Sequence, residues 1–235
     1  MKLLALDSSG LVASVAVVED DTLLAEFTMN YKKTHSQTLV PMMNEVKRMI
    51  DLDLESIDAI AIAAGPGSFT GLRIGSATAK GLGLALDKPI VPVPTVDALA
   101  YNMRGTSDVV CPLMDARREQ VYTGLYDFSY QDGSYRMNII KSQCAVALQE
   151  IAAACNELGR RVIFLGDGVP VYREKISQCV NVPYSFADSF QNRQRASVVA
   201  ALGMSLFRQG VVVSAQDHAP EYLRLSQAER ERMEQ

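Results

Sequence analysis

Two aspartates and one glycine-rich run hold most of the chemistry this sequence can offer. Asp7 closes the apolar run Leu3-Leu4-Ala5-Leu6, and Asp115 closes Val109-Val110-Cys111-Pro112-Leu113-Met114. A carboxylate at the end of a buried strand, beside a turn, can hold a hydrated divalent cation or meet a phosphate. Phosphate approach needs small residues, because the backbone itself must come close. Asp7-Ser8-Ser9-Gly10 nearly meets that need, so Asp7, Ser8 and Ser9 form a candidate, degenerate phosphate turn. Asp115-Ala116-Arg117-Arg118-Glu119-Gln120 does not, since two arginines and a glutamate fill it. The plainer reading makes both aspartates strand ends at a domain seam.

The run Gly65-Pro66-Gly67-Ser68-Phe69-Thr70-Gly71-Leu72-Arg73-Ile74-Gly75 follows a short apolar strand and opens onto a helix. Backbone N–H groups and the helix dipole make such a junction attractive to anions. Its spacing fits neither common phosphate loop. A P-loop needs Gly-x-x-x-x-Gly-Lys, whereas Gly65 and Gly71 stand one residue too far apart and Leu72 replaces lysine. A dinucleotide fingerprint needs glycine at position 70, where threonine sits.

No catalytic residue or metal ligand is nominated. The histidines are His35 and His218, with no His-x-x-x-His pair, and no Gly-x-Ser-x-Gly elbow exists. His35, just before a helix, reads as a capping or surface residue.

The elements that must position these residues form two similar halves. The first reads as strands at 2–7, 11–18 and 22–28, a helix at 36–50, a strand at 57–63, a helix at 70–86, a strand at 90–93 and a helix capped by Thr95. The second reads as strands near 108–115, 120–128 and 135–141, a helix near 145–158 ended by Gly159, a strand at 162–165, and helices near 170–179 and 196–209. This repeated order predicts an α/β fold of two ribonuclease-H-like subdomains, each a mixed sheet flanked by helices. The expected divisions are a first lobe at 1–104, a second at 105–217, and a segment 218–235 that packs back on the first lobe or stays at the surface.

Both first-half helices read as packing elements. Leu39, Met42, Met43 and Val46 share a broad apolar face of the first. In the second, Gly71, Gly75, Ala79 and Gly83 recur every fourth residue and leave a flat stripe. Interior glycine costs about 1 kcal/mol against alanine, so a close neighbour must return it, either the chain's own sheet or another helix.

Composition narrows the function classes. With 48% hydrophobic and 21% charged residues the chain is ordinary globular protein. A net charge of −4 argues against a protein that grips nucleic acid unaided. Cys111, Cys144, Cys155 and Cys179 form no C-x-x-C pair and read as buried thiols of a reducing compartment. Neither a signal-peptide pattern nor a membrane-length apolar run is visible, so a cytoplasmic protein is expected.

Several segments together resemble the TsaB (YeaZ) family. They are Leu4-Ala5-Leu6-Asp7-Ser8-Ser9, His35-Ser36-Gln37-Thr38-Leu39-Val40-Pro41, the glycine-rich run, Asp115-Ala116-Arg117-Arg118-Glu119-Gln120-Val121-Tyr122 and Pro220-Glu221-Tyr222-Leu223-Arg224. The resemblance implies an actin/hexokinase-like (ASKHA) fold. It also implies a non-catalytic role in making N6-threonylcarbamoyladenosine in tRNAs that read codons beginning with A. In that system TsaD transfers the threonylcarbamoyl group and TsaE completes the complex.

The partner expected from the resemblance is therefore TsaD, met through first-lobe helices, with tRNA reached through the complex and a homodimer when the chain is alone. Leu39, Met42, Met43, Val46, Gly71, Gly75, Ala79 and Gly83 are the expected interface. Arg104, Arg117 and Arg118 are candidates for one basic patch touching tRNA or a subunit seam. No cofactor of its own is expected, although a nucleotide could sit at that seam. The alternative is an ASKHA-type ATPase or small-molecule kinase using Asp7.

Overall fold

The computed structural model describes residues 1–31 and 33–224. The first lobe opens with β1 (Lys2–Asp7), β2 (Ala13–Glu19), β3 (Thr22–Met29) and α1 (His35–Met49). It continues with β4 (Ala59–Gly65), α2 (Phe69–Leu86), β5 (Ile90–Pro94) and α3 (Thr95–Tyr101). The second contains β6 (Val109–Asp115), β7 (Gln120–Gln131), β8 (Ser134–Ala147), α4 (Leu148–Leu158), β9 (Val162–Leu165), α5 (Gly168–Cys179) and β10 (Tyr184–Phe186). The last helix among the described residues is α6 (Ala196–Arg208).

The first sheet runs β3-β2-β1-β4-β5, and the second runs β8-β7-β6-β9-β10. In each, the first three strands form an antiparallel meander and the last two join in parallel. The two lobes therefore share one topology, the duplicated ribonuclease-H-like arrangement expected from the sequence.

Strand β1 is central and covered on both faces, which is why it reads as a continuous apolar run. Leu4 and Leu6 point with Val15, Val17, Ile60 and Ile62 into a core beneath α1 and α2. Leu3 and Ala5 point the other way, with Ala16, Ala59, Ala61 and Ala63, beneath α6. The alanines on that face let α6 come close: a Cβ on Gly203 would lie 2.9 Å from the Ala61 Cβ.

The placement of α6 corrects the expected lobe boundaries. It packs on β1, β2, β4 and β5, so it belongs to the first lobe although it follows the whole second lobe in sequence. Glu26 on β3 anchors its first turn by accepting from Ser197 N at 3.0 Å, Ser197 Oγ at 2.6 Å and the Arg195 guanidinium. The second lobe thus ends near β10, short of the expected residue 217. Residues 225–235 of the expected segment 218–235 lie outside the described residues.

Two smaller differences have local causes. Pro94, not Thr95, occupies the N-cap of α3, because the Thr95 hydroxyl instead accepts from Gly65 N at 3.0 Å. The hairpin β7–β8 is longer than expected, turning at Asp132-Gly133, where both residues have positive φ. Between the lobes, Val96, Leu99 and Ala100 of α3 share a core with Val110, Met114, Tyr126 and Leu165. The Tyr126 hydroxyl donates to Asp97 Oδ1 at 2.7 Å across that seam.

Candidate functional site

The ends of β1, β6 and β9, the start of α2 and residues 222–224 surround a cleft of about 590 Å³. Asp115, at the end of β6, and Asp167, just after β9, line it, whereas Asp7, at the end of β1, is buried and does not.

Asp7 is buried, and its Oδ1 accepts from Ser9 N at 2.9 Å and Ser9 Oγ at 2.6 Å. Burial pushes its pKa up to about 6, against the lowering effect of those hydrogen bonds. Ser8 turns away from the cleft and donates to Gly71 O at 2.9 Å. His35 is the first residue of α1, and its Nε2 pairs with Gly10 O at 2.9 Å, holding the same turn.

This turn explains the glycine-rich run. Ser68 N donates to Ser9 O at 2.7 Å. A Cβ on Gly67 would lie 2.3 Å from Ser9 O, one on Gly71 2.1 Å from Ser8 O, and one on Gly75 2.4 Å from Ser8 Oγ. The glycines let the first two turns of α2 press against the β1–β2 turn. An amide that a phosphate loop would offer to its ligand is used here by the protein's own carbonyl.

The second turn has the opposite polarity from a phosphate cradle. Arg117, Arg118 and Glu119 have φ of 64°, 53° and 60°, a left-handed conformation that costs non-glycine residues roughly 1–2 kcal/mol each. Asp115 Oδ1 accepts from Arg117 N at 2.9 Å and from the Tyr172 hydroxyl at 3.3 Å. Asp167 Oδ1 accepts from Asp115 N at 3.3 Å, and its burial raises its pKa. The carbonyls of Ala116 and Arg117 are taken by the Arg224 guanidinium. Among the described residues no three His, Cys, Asp or Glu side chains stand together so as to hold a metal ion.

Not every expected site residue arrives where the sequence placed it. Arg117 and Arg118 line the cleft, but Arg104 lies with Tyr101 and Tyr135 in a separate groove, so the three form no common patch. Leu39, Met42, Met43 and Val46 are buried in the core with β1, β2 and β4. Gly71, Gly75 and Ala79 face the chain's own turn and sheet, and Gly83 packs on Ala215 and the Lys88 carbonyl. These eight residues therefore shape the lobe from inside and are not themselves a free surface.

The solvent side of the same helix carries a second stripe. Thr70, Arg73, Ala77, Gly81 and Leu84 are exposed in succession, with Ala85 beside them. A Cβ on Gly81 would meet nothing within 4 Å. On α1, Val40, Pro41 and Met49 are also exposed.

Sequence reasoning passed over three residues of the cleft or its surroundings. Asp167 could have been found from Gly166-Asp167-Gly168 closing a strand, where a Cβ on Gly166 would lie 2.2 Å from Leu113 O. Gln194 is buried with both amide atoms unpartnered, against Gly10, and its sequence context carries no signal. Arg224 ends Pro220-Glu221-Tyr222-Leu223-Arg224, whose residue types alone point to no role for it.

The family model described as "TsaD: tRNA N6-adenosine threonylcarbamoyltransferase" matches residues 22–232. The chain is 33% identical over 229 residues to the tRNA threonylcarbamoyladenosine biosynthesis protein TsaB of Bacillus subtilis, covering 97% of this chain and 96% of that one. The chain belongs to the TsaB (YeaZ) family. The Escherichia coli TsaB is 35% identical over 129 residues, 54% of this chain and 55% of that one. The structure of YeaZ from Pseudomonas aeruginosa superimposes with a TM-score of 0.79 at 28% identity, covering 94% of this chain and 99% of that one. The fold and the family assignment thus agree across nearly the whole chain. No helix among the described residues is long and apolar enough to cross a membrane.

Proposed function

We propose that this chain is a non-catalytic cytoplasmic subunit that binds TsaD and supports formation of N6-threonylcarbamoyladenosine in tRNAs reading ANN codons. The single observation carrying the docking part is Gly81. An exposed glycine in mid-helix costs about 1 kcal/mol and here serves no internal contact. With Ala77, Leu84 and Ala85 it makes a nearly flat apolar stripe that suits close approach of a partner helix. The docking face is thus moved from the inward stripe of α2 to its outward one, joined by Val40 and Pro41 of α1.

In this reading the same face pairs two copies when TsaD is absent. TsaE and tRNA join through the assembled complex, and any nucleotide lies at the subunit seam. The kinase alternative, with Asp7 as the Mg²⁺-linked carboxylate, is less well supported. The amide of Ser68, a donor that a phosphate would use, is already engaged by Ser9 O.

The decisive experiment is co-purification with TsaD, followed by threonylcarbamoyl transfer with and without this chain. Transfer that needs the chain, together with no Mg-ATP binding at millimolar concentration by the chain alone, supports the subunit reading. Tight Mg-ATP binding lost in Asp7→Ala would replace it with the kinase.

A further inference from the structure

The segment after α6 runs across the molecule and touches both lobes. It begins as an antiparallel bridge between Val213 and Ile90. Ala215 is buried against Gly83, and Lys80 Nζ donates to the carbonyls of Gln216 and His218, each at 2.9 Å. Glu221 N donates to Ala64 O at 2.7 Å, and the Glu221 carbonyl passes so near Gly65 that a Cβ there would lie 2.1 Å away. Tyr222 stacks on Phe69, with ring centroids 5.0 Å apart, and its hydroxyl accepts from Arg73 Nε at 3.3 Å. All of these partners belong to the first lobe.

The next contacts belong to the second. Gln143 on β8 donates to Glu221 Oε2 at 3.1 Å, and Arg224 donates to the carbonyls of Ala116 and Arg117. We propose that residues 213–224 are a clasp that holds the two lobes at one cleft opening, with Arg224 as the chain's own ligand for the β6–β7 turn. The turn recognises a cation because it presents carbonyl oxygens to the cleft, and the chain supplies that cation. The clasp is a second tie between the lobes, separate from the α3 core. It also lines the cleft with Tyr222 and Arg224, so it sets what space remains there.

Amide hydrogen exchange on the full chain, on Arg224→Ala and on Tyr222→Ala tests the clasp. Exchange across residues 116–120 is expected to rise roughly tenfold or more in Arg224→Ala, while strands β1 and β6 keep their protection. Tryptic cleavage after Arg117 and Arg118 is expected to speed up in parallel. Arg224→Lys, which keeps a cationic donor, is expected to restore part of the protection. If Arg224→Ala does not fold, Tyr222→Ala serves, since it loosens 64–73 and 116–120 together without removing the guanidinium. Unchanged exchange at 116–120 in a folded Arg224→Ala or Tyr222→Ala variant overturns the proposal. Neither outcome depends on whether TsaD binds.

Discussion

Gly75 and Gly81 lie on one helix in opposite circumstances: a methyl group on Gly75 would sit 2.4 Å from Ser8 Oγ, and one on Gly81 would meet nothing within 4 Å. The two glycines therefore have different reasons to exist. Gly81→Ala is expected to stabilise the isolated chain by about 1 kcal/mol, because it removes backbone freedom from the unfolded state without a clash. Gly75→Ala is expected to destabilise it by roughly 1–3 kcal/mol through overpacking. Urea unfolding of the two variants separates these signs.

Binding reverses the order. Gly81→Arg and Leu84→Asp are expected to weaken association with TsaD while leaving the urea midpoint near that of the unaltered chain. Calorimetric titration with TsaD checks this, and normal binding by both variants would show that the outward stripe of α2 is not the docking face.

The two stripes also show what the sequence could and could not reveal. Periodicity places Gly71, Gly75, Ala79 and Gly83 on one side of a helix, and that placement is observed. Which side faces the sheet is a tertiary question, and small residues occur on both sides of α2. The succession of strands was legible where turn residues part them, although β7 and β8 both run longer than expected, to the turn at Asp132-Gly133. Strand β10, only Tyr184–Phe186, is too short to show an alternation. Arg104 and Arg117 lie in separate grooves because residues of one type need not share a surface.

Asp7 makes a pH-dependent prediction. Its folded pKa of about 6 lies above the unfolded value of 3.8, so the folded state holds the proton more tightly. Stability is lost as pH rises from about 4 to 6 and then levels off. Asp7→Asn keeps an acceptor for Ser9 and removes the charge. It is expected to be more stable than the unaltered chain by ~2–3 kcal/mol at pH 7.5, with the gap closing near pH 4. Under the subunit reading this variant also supports threonylcarbamoyl transfer normally.

His218 acts in the other direction. It is buried with Nε2 unpartnered, and burial, helped by the Lys80 ammonium, holds its pKa below 6.5. The unfolded chain then takes the proton more readily, so stability is complete above about pH 6.5 and declines below it. Replacing His218 by glutamine is expected to flatten the slope of unfolding free energy between pH 5 and 6.5, measured by urea titration at fixed ionic strength.

Glu26→Ala tests the anchor of α6. Burial alone would raise the Glu26 pKa, but the Arg195 and Ser197 hydrogen bonds outweigh it and hold it below the usual range. The variant leaves Arg195 and the first turn of α6 without their acceptor. A loss of ~2–3 kcal/mol is expected, less than for a fully buried pair because the Arg195 side chain is 36% exposed. Thermal unfolding at pH 7.5 provides the measurement.

The return of α6 to the first sheet orders events at the ribosome. Until residues 196–208 emerge, one face of the first sheet, lined by Leu3, Ala5, Ala16 and Ala61, lacks its covering helix. The intervening lobe, with its own core between sheet and α4–α5, can complete itself earlier. The N-terminal half of the chain is thus translated first and finished last, and its folding must wait on contacts separated by most of the polypeptide.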